Sequence, residues 1–262
     1  MNSPLVSILI TTYNCKEILS PTLQSLLGQS YPSIEIIVVE DGSTDGTAEL
    51  LAELTEQYQS IHAYYPGRLG RAKALNYGLS KCQGKYVAIN DADDFSRPSR
   101  IEKQVAYLEN TPEVGLLGTG KEVKEGTKKW VTPVLTRDDE IRKFFAKGQP
   151  IQHSTVMFRK VLLDQIGGYN EKIPFLLDRD IFIRMAKITK LHQLSEPLIL
   201  LNRSNQQYFK NKYTGLHRSW MSTKYQLKAI TAFGFSPLLK LEVIAKFIYH
   251  ISLETWKNLK HR

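Results

Sequence analysis

Residues 6–14 read VSILITTYN. The run Val6–Thr11 is apolar and β-branched, the pattern of a strand buried on both faces, and hydroxyl and amide side chains follow it. The same pattern recurs twice. Ile34–Val39 is a second apolar run, leading into Glu40-Asp41-Gly42-Ser43, and Tyr86–Ile89 is another, leading into Asn90-Asp91-Ala92-Asp93-Asp94. Helical spacing fills the gaps between them. Ser20-Pro21 reads as an N-cap followed by proline at the first helical position, opening a helix with Leu23, Leu26 and Leu27. Leu50, Leu51 and Leu54 mark a second helix, and His62–Tyr65 is a candidate strand. Helices are expected over Ala72–Leu79 and Pro98–Leu108, and Val114–Thr119 closes this half as a strand. The expected fold is α/β, with a mostly parallel sheet flanked by helices.

The second half is more mixed. Val123–Val134 has the pattern of a polar hairpin, and Asp138–Ala146 that of an amphipathic helix opened by acidic residues. Ser154–Phe158 reads as a strand, Asp178–Ile188 as a helix and Leu198–Leu201 as a last strand. From about Gly215 the pattern is helical, with Leu241, Ile244, Ala245, Ile248 and Ile251 on one face and Lys240, Lys246 and Lys257 elsewhere. Charges interrupt every apolar run there, so no bilayer-spanning helix is expected.

The chain has 262 residues, 42% hydrophobic and 23% charged, which is enough to bury a core and excludes disordered and collagenous classes. Two cysteines, Cys15 and Cys82, are too few for a disulfide scaffold and fit a reducing compartment. The N-terminal apolar run is short and has no charged segment before it, so a cytoplasmic location is expected. The net charge of +9 is unevenly spread: residues 1–202 hold 24 basic and 24 acidic side chains, residues 203–262 hold 11 and 2. The expected organisation is therefore a neutral domain, 1–202, and a basic, helical C-terminal extension, 203–262. A nucleic-acid binder would not confine its charge in this way. Two readings stand for the extension: a helix packed on the body, or peripheral contact with an acidic membrane surface.

In an open parallel sheet, ligands bind outside the carboxyl ends of the strands. Those ends here are Thr11-Thr12-Tyr13-Asn14, Glu40-Asp41 and Asn90–Asp94, so hydroxyls and carboxylates would rim one crevice. In Asp91-Ala92-Asp93, an extended backbone turns both carboxylates to one side. That suits a divalent cation such as Mg²⁺, which takes one or two protein carboxylates and completes its shell with phosphate and water. The alternative is that Asp93 or Asp94 caps the next helix or makes a turn. Other signatures fail. No G-x-G-x-x-G follows the first strand, and Gly115–Lys121 (GLLGTGK) continues with Glu122, not the Ser or Thr of a P-loop. Zinc-ligand spacing and a G-x-S-x-G elbow are also missing from the sequence.

As a series, seven segments resemble family 2 glycosyltransferases: Ser7–Asn14 (SILITTYN), Val38–Thr47 (VVEDGSTDGT), Gly70–Gly78 (GRAKALNYG), Asn90–Asp94 (NDADD), Pro150–Lys160 (PIQHSTVMFRK), Gly167–Asn170 (GGYN) and Leu177–Arg184 (LDRDIFIR). The resemblance covers residues 5 to about 202. It implies a GT-A fold, related to the Rossmann fold, a nucleotide-sugar donor, Mn²⁺ or Mg²⁺, and inverting transfer to an acceptor hydroxyl. It implies that Thr11, Tyr13 and Asp41 form the pocket for base and ribose, and that Arg71 approaches the base or the phosphates. Asp91 would meet the ribose or the metal, Asp93 would ligate the metal, and Asp178 would be the catalytic base. His153 and Gly168-Tyr169 fall in acceptor-side or sugar-side loops, with a core or turn role as the alternative. A carboxylate at Asp41 accepting from the ring N–H of a base favours UDP, and a glycan or lipid-linked acceptor in cell-surface polysaccharide assembly is the expected partner.

These residue types are what the chemistry needs. A sugar hydroxyl requires a carboxylate to take its proton, and the leaving diphosphate requires a cation. Two departures stand out: Leu177 replaces the acid that usually precedes the catalytic Asp, and Glu40 replaces the first Asp of the pair after the second strand. Leu177 motivates the alternative of a catalytically inactive nucleotide-sugar-binding protein. A sugar-phosphate nucleotidyltransferase is a second alternative, although no glycine-rich basic loop follows the first strand.

Overall fold

The computed structural model describes residues 3–203 and 215–260, and among them nine strands form one sheet. β1 (Val6–Thr12), β2 (Ile34–Glu40), β3 (Ile61–Tyr64) and β4 (Tyr86–Ile89) pair in parallel, in the order β3-β2-β1-β4. This half matches the expected parallel sheet. The other half is mixed. It contains β5 (Phe95–Ser96), β6 (Val114–Glu125), β7 (Lys128–Thr132), β8 (Met157–Arg159) and β9 (Lys190–Asn202). β8 runs antiparallel between β4 and β6, β9 is parallel to β6, and β5 closes the edge antiparallel to β9. β7 folds back on β6 as the expected polar hairpin.

Nine helices among the described residues cover the sheet: α1 (Lys16–Leu27), α2 (Thr47–Gln57), α3 (Arg71–Lys81), α4 (Arg100–Asn110), α5 (Asp138–Phe145), α6 (Lys160–Gln165), α7 (Leu177–Met185), α8 (Gly215–Ala232) and α9 (Pro237–Lys260). Side-chain alternation in β1, β2 and β4 splits the core in two. Val6, Ile8, Ile10, Ile36, Val38 and Ala88 join one cluster, with Leu19 and Leu23 of α1 and Ile101 and Val105 of α4. Leu9, Ile37, Val39, Val87 and Ile89 join the other, with Leu75 of α3 and Phe182 of α7. Both faces are therefore dry, which is why these strands read as continuous apolar runs.

Three expectations are corrected. Helix α1 begins at Lys16 rather than after Ser20, and Pro21 lies inside it. Its first amides are satisfied from elsewhere: Cys15 N–H donates to Thr47 Oγ1 (3.0 Å) and Lys16 N–H to Asp45 Oδ2 (3.1 Å), so no local cap is needed. The expected strand Ser154–Phe158 is a 3₁₀ turn, His153–Thr155, followed by the short β8. The last strand is much longer than Leu198–Leu201, and its irregular register near Gly120 accommodates Pro197.

Helix α8 packs on α5 and α7, and α9 packs on α8. Of the two readings for the apolar stripe, packing on the body does not hold for these residues: Leu241, Ile244, Ala245 and Ile248 are exposed, while Val243 on the other side is buried. The side chain of Lys257 lies outside the described residues. No helix among the described residues is long and apolar enough to cross a membrane.

From β1 the chain moves outward through β2 and β3, then returns to place β4 on the other side of β1. Strand order reverses there, so a crevice opens outside the carboxyl ends of β1, β2 and β4.

Candidate active site

The β2 end is closed by its own carboxylates. Buried Glu40 accepts from Gly42 N (3.1 Å) and Ser43 N (2.6 Å). Gly42 sits at φ +73°, and a Cβ there would lie 3.0 Å from the Arg68 backbone, so a glycine lets the two loops meet. Asp41 is buried and accepts from Leu69 N (2.6 Å), Gly70 N (3.0 Å) and the Arg68 guanidinium. The Arg68 guanidinium lies 3.6 Å from the centroid of the Tyr13 ring, which projects from the β1 end. Tyr13 and Asp41 are thus held by one cation. Thr11 is half-buried in β1, one residue before Thr12, whose buried hydroxyl has no hydrogen-bond partner among the described residues.

The same loop reaches the β4 end. One residue past Gly70, Arg71 Nη2 donates to Asp91 Oδ1 (2.5 Å) and lies 3.3 Å from His153 Nδ1. His153 Nε2 is 2.8 Å from the Tyr169 hydroxyl, so Arg71, Asp91, His153 and Tyr169 form one network. Burial alone would raise the Asp91 carboxyl, but Arg71 and His153 hold it well below the usual carboxylate range. The Asp91 carboxylate in turn pushes Arg71 up against burial, and the Asp178 charge adds to it. Asp94 is buried, accepts from the Ser154 hydroxyl and from Asn202 N (3.3 Å), and so ties the acidic loop to the 3₁₀ turn and to β9. Neither Asp93 nor Asp94 caps α4, which starts beyond Ser99, but the expected extended segment Asp91-Ala92-Asp93 is instead a turn, closed by Asp94 N–H donating to Asp91 O (3.1 Å).

Asp93 differs from its neighbours. Among the described residues no side chain donates a hydrogen bond to it, and burial followed by the Asp91 charge pushes its carboxyl up to about 6. An anionic oxygen donor lacking its own cation, beside Asp91, fits a hard divalent ion that fills its shell with diphosphate and water. No ready cage of three or more His, Cys, Asp or Glu side chains exists among the described residues. The residues therefore suit an ion brought in with a phosphate ligand.

Asp178 lies half-buried in the first turn of α7. Its Oδ1 accepts from Arg179 N (2.8 Å) and its Oδ2 from Gln149 Nε2 (3.1 Å). Asp180, two residues on, is 1% exposed and engaged by Arg184 (2.8 Å) and Lys228, which removes it as a base. Leu177 is buried in the core beneath α7, so its apolar side chain has a packing role.

Sequence reading missed Arg68, Gln149 and Arg100. Arg100 is fully buried and bonds Asn90 Oδ1 (3.0 Å), Ser96 Oγ (2.9 Å) and Ile89 O (2.9 Å), bracing the acidic loop from behind. Its place near the start of the expected helix Pro98–Leu108 gave no signal. Arg68 lies in a loop two residues before the matched GRAKALNYG segment and Gln149 one residue before PIQHSTVMFRK, so flanking a motif was the available signal.

A sheet with acid-rimmed strand ends at its switch point, and a helix bringing a further carboxylate, fit a glycosyltransferase of the GT-A type. The Glycosyl transferase family 2 profile matches residues 7–167, and the chain belongs to that family. It is 31% identical over 220 residues to the putative glycosyltransferase EpsE of Bacillus subtilis, covering 82% of this chain and 79% of that one. It is 28% identical over 186 residues to the UDP-Glc:α-D-GlcNAc-diphosphoundecaprenol β-1,3-glucosyltransferase WfaP of Escherichia coli, covering 71% of each. The solved structure of the mannosyltransferase PcManGT of Pyrobaculum calidifontis with GDP-Man and Mn²⁺ superposes with a TM-score of 0.66 at 20% identity, covering 94% of this chain and 70% of that one. That likeness is one of fold.

Proposed function

We propose that this glycosyltransferase moves a sugar, with inversion, from a UDP-sugar to a hydroxyl of a glycan or lipid-linked acceptor in cell-surface polysaccharide assembly. Residues 1–202 carry the transfer site, and the extension 203–262 serves peripheral attachment at the inner membrane face. WfaP, whose name gives a UDP donor and a lipid-diphosphate acceptor, supports this choice of substrates. Two free cysteines support a cytoplasmic, reducing setting.

The observation that carries the reading is Arg71, paired with Asp91 and within the field of Asp178. A cation beside Asp91 and within reach of the Asp178 charge is where a diphosphate would leave. Asp178 takes the acceptor proton as the hydroxyl attacks, and Arg71 offsets the charge that develops on the diphosphate. Asp93, with Asp91, would hold Mn²⁺ or Mg²⁺, which supplies Lewis-acid stabilisation of the leaving group. PcManGT, solved with Mn²⁺, supports a divalent ion. Thr11, Tyr13 and Asp41 bind the nucleoside, with Arg68 moving off the Tyr13 ring as the base stacks there.

Calorimetry with UDP and ADP, each with and without Mn²⁺, tests the donor assignment. UDP should bind more tightly than ADP, and Asp41→Ala should narrow the gap. Equal affinities of the wild type for the two nucleotides would defeat it.

A further inference from the structure

We infer that the outer face of α8 and α9 is a docking surface for an anionic lipid bilayer. Helix α9 is two-sided. Leu239 and Val243 close a small core with Ile230 of α8 and Ala146 after α5. On the opposite side Leu238, Leu241, Ile244 and Ile248 are 74%, 63%, 39% and 60% exposed, a stripe along three turns of helix. On α8, Leu216 and Trp220 are also exposed, and the Trp220 ring lies 5.6 Å from that of Phe247 in α9, joining the two helices at their seam. A row of exposed large apolar side chains along one helix face marks an interaction surface.

Charge identifies that partner. Exposed Lys224 follows Trp220 by one turn on α8, and Lys240 borders the stripe on α9. Residues 203–262 carry 11 basic and 2 acidic side chains, and one of the two acids, Glu242, is already paired with Lys246 at 2.6 Å. An apolar face edged by lysines complements an anionic headgroup layer, into which Leu, Ile and Trp side chains insert. A second copy of the same basic surface would meet it with like charge. The docking face is also joined to the transfer site. Lys228 of α8 pairs with Asp180, and Arg179 donates to Ser222 O (3.2 Å) and Oγ (3.1 Å), so α7 and α8 are tied directly to each other. The docking rests on the peripheral attachment proposed above and names the surface and the lipid class for it; through α8 it would tether α7, which carries Asp178, to the membrane.

The test is sedimentation of the full chain with vesicles of phosphatidylcholine alone or mixed with phosphatidylglycerol, at low and high salt. Binding is expected to the mixed vesicles only, weakened by salt. A Leu241→Glu/Ile248→Glu double variant should bind them about tenfold or more weakly. Its unfolding temperature and UDP affinity, measured in parallel, should stay at wild-type values, so a failure of docking is distinguishable from a failure of the donor site. Absence of wild-type binding, equal binding to both vesicle types, or unchanged binding by the double variant would overturn the inference. So would a wild-type dimer that the double variant abolishes in sedimentation velocity, because the face would then belong to a second copy.

Discussion

Asp93 combines burial, a like-charged neighbour and no side-chain donor among the described residues, and its carboxyl stands at about 6 against an ordinary 3.8. A carboxyl raised on folding makes the ionised form costly, so in the metal-free chain this group lowers stability as pH rises from about 4 to about 6. A cation must displace that proton. Mn²⁺ affinity should therefore climb between pH 5 and pH 7, with proton release, and level off above. Calorimetry at the two pH values checks this, and equal affinities would contradict it. Asp93→Asn should abolish cation-dependent UDP binding without lowering the unfolding temperature at pH 7. Gln149 acts on the other carboxylate through its 3.1 Å bond to Asp178 Oδ2. Gln149→Leu removes a hydrogen bond to a charged group, so turnover should fall by about tenfold to hundredfold while donor KM is unchanged. A KM effect without a kcat effect would exclude this role.

Helix α7 depends on one buried acid. Asp180 is 1% exposed and holds Arg184 and Lys228, and Arg184 in turn holds Ile166 O (2.9 Å) and Gly168 O (2.6 Å) ahead of Tyr169. Asp180→Asn removes the anion shared by two partly exposed cations and should cost about 1.5–3 kcal/mol in urea unfolding. Lys228→Met should cost only about 1 kcal/mol, because Lys228 is 39% exposed and Arg184 remains. An Asp180→Asn variant as stable as wild type would exclude the triad as the tie between α7 and α8. Element boundaries show where sequence reading stops. Ser20-Pro21 is a sound local start signal, yet α1 is capped by Thr47 and Asp45 from a loop distant in sequence. Periodicity identified the Leu241 stripe, but α9 is apolar on both sides and only packing decides which side meets α8.

Across the whole molecule, the apolar runs Val6–Thr11, Ile34–Val39 and Tyr86–Ile89 were legible as buried parallel strands because both faces are covered. Their polar ends marked the crevice for the same reason: side chains that a buried strand would exclude stand at its rim. The other half of the sheet was less legible. Polar residues and Pro197 interrupt β9, and its partner β6 supplies the pairing that propensity does not. Arg71 was legible as a site residue from its motif, but its link through His153 to Tyr169 joins residues 71, 91, 153 and 169, which only the fold brings together. The central claim is that this convergence serves a single displacement with Asp178 as base. Single-turnover transfer by Asp178→Asn, measured beside its UDP affinity and unfolding temperature, tests it most directly. Asn keeps the shape and the capping capacity but cannot take a proton. The expected result is a loss of about 10²–10⁴-fold in rate, with UDP affinity and stability near wild type; near-normal turnover in that variant would contradict it.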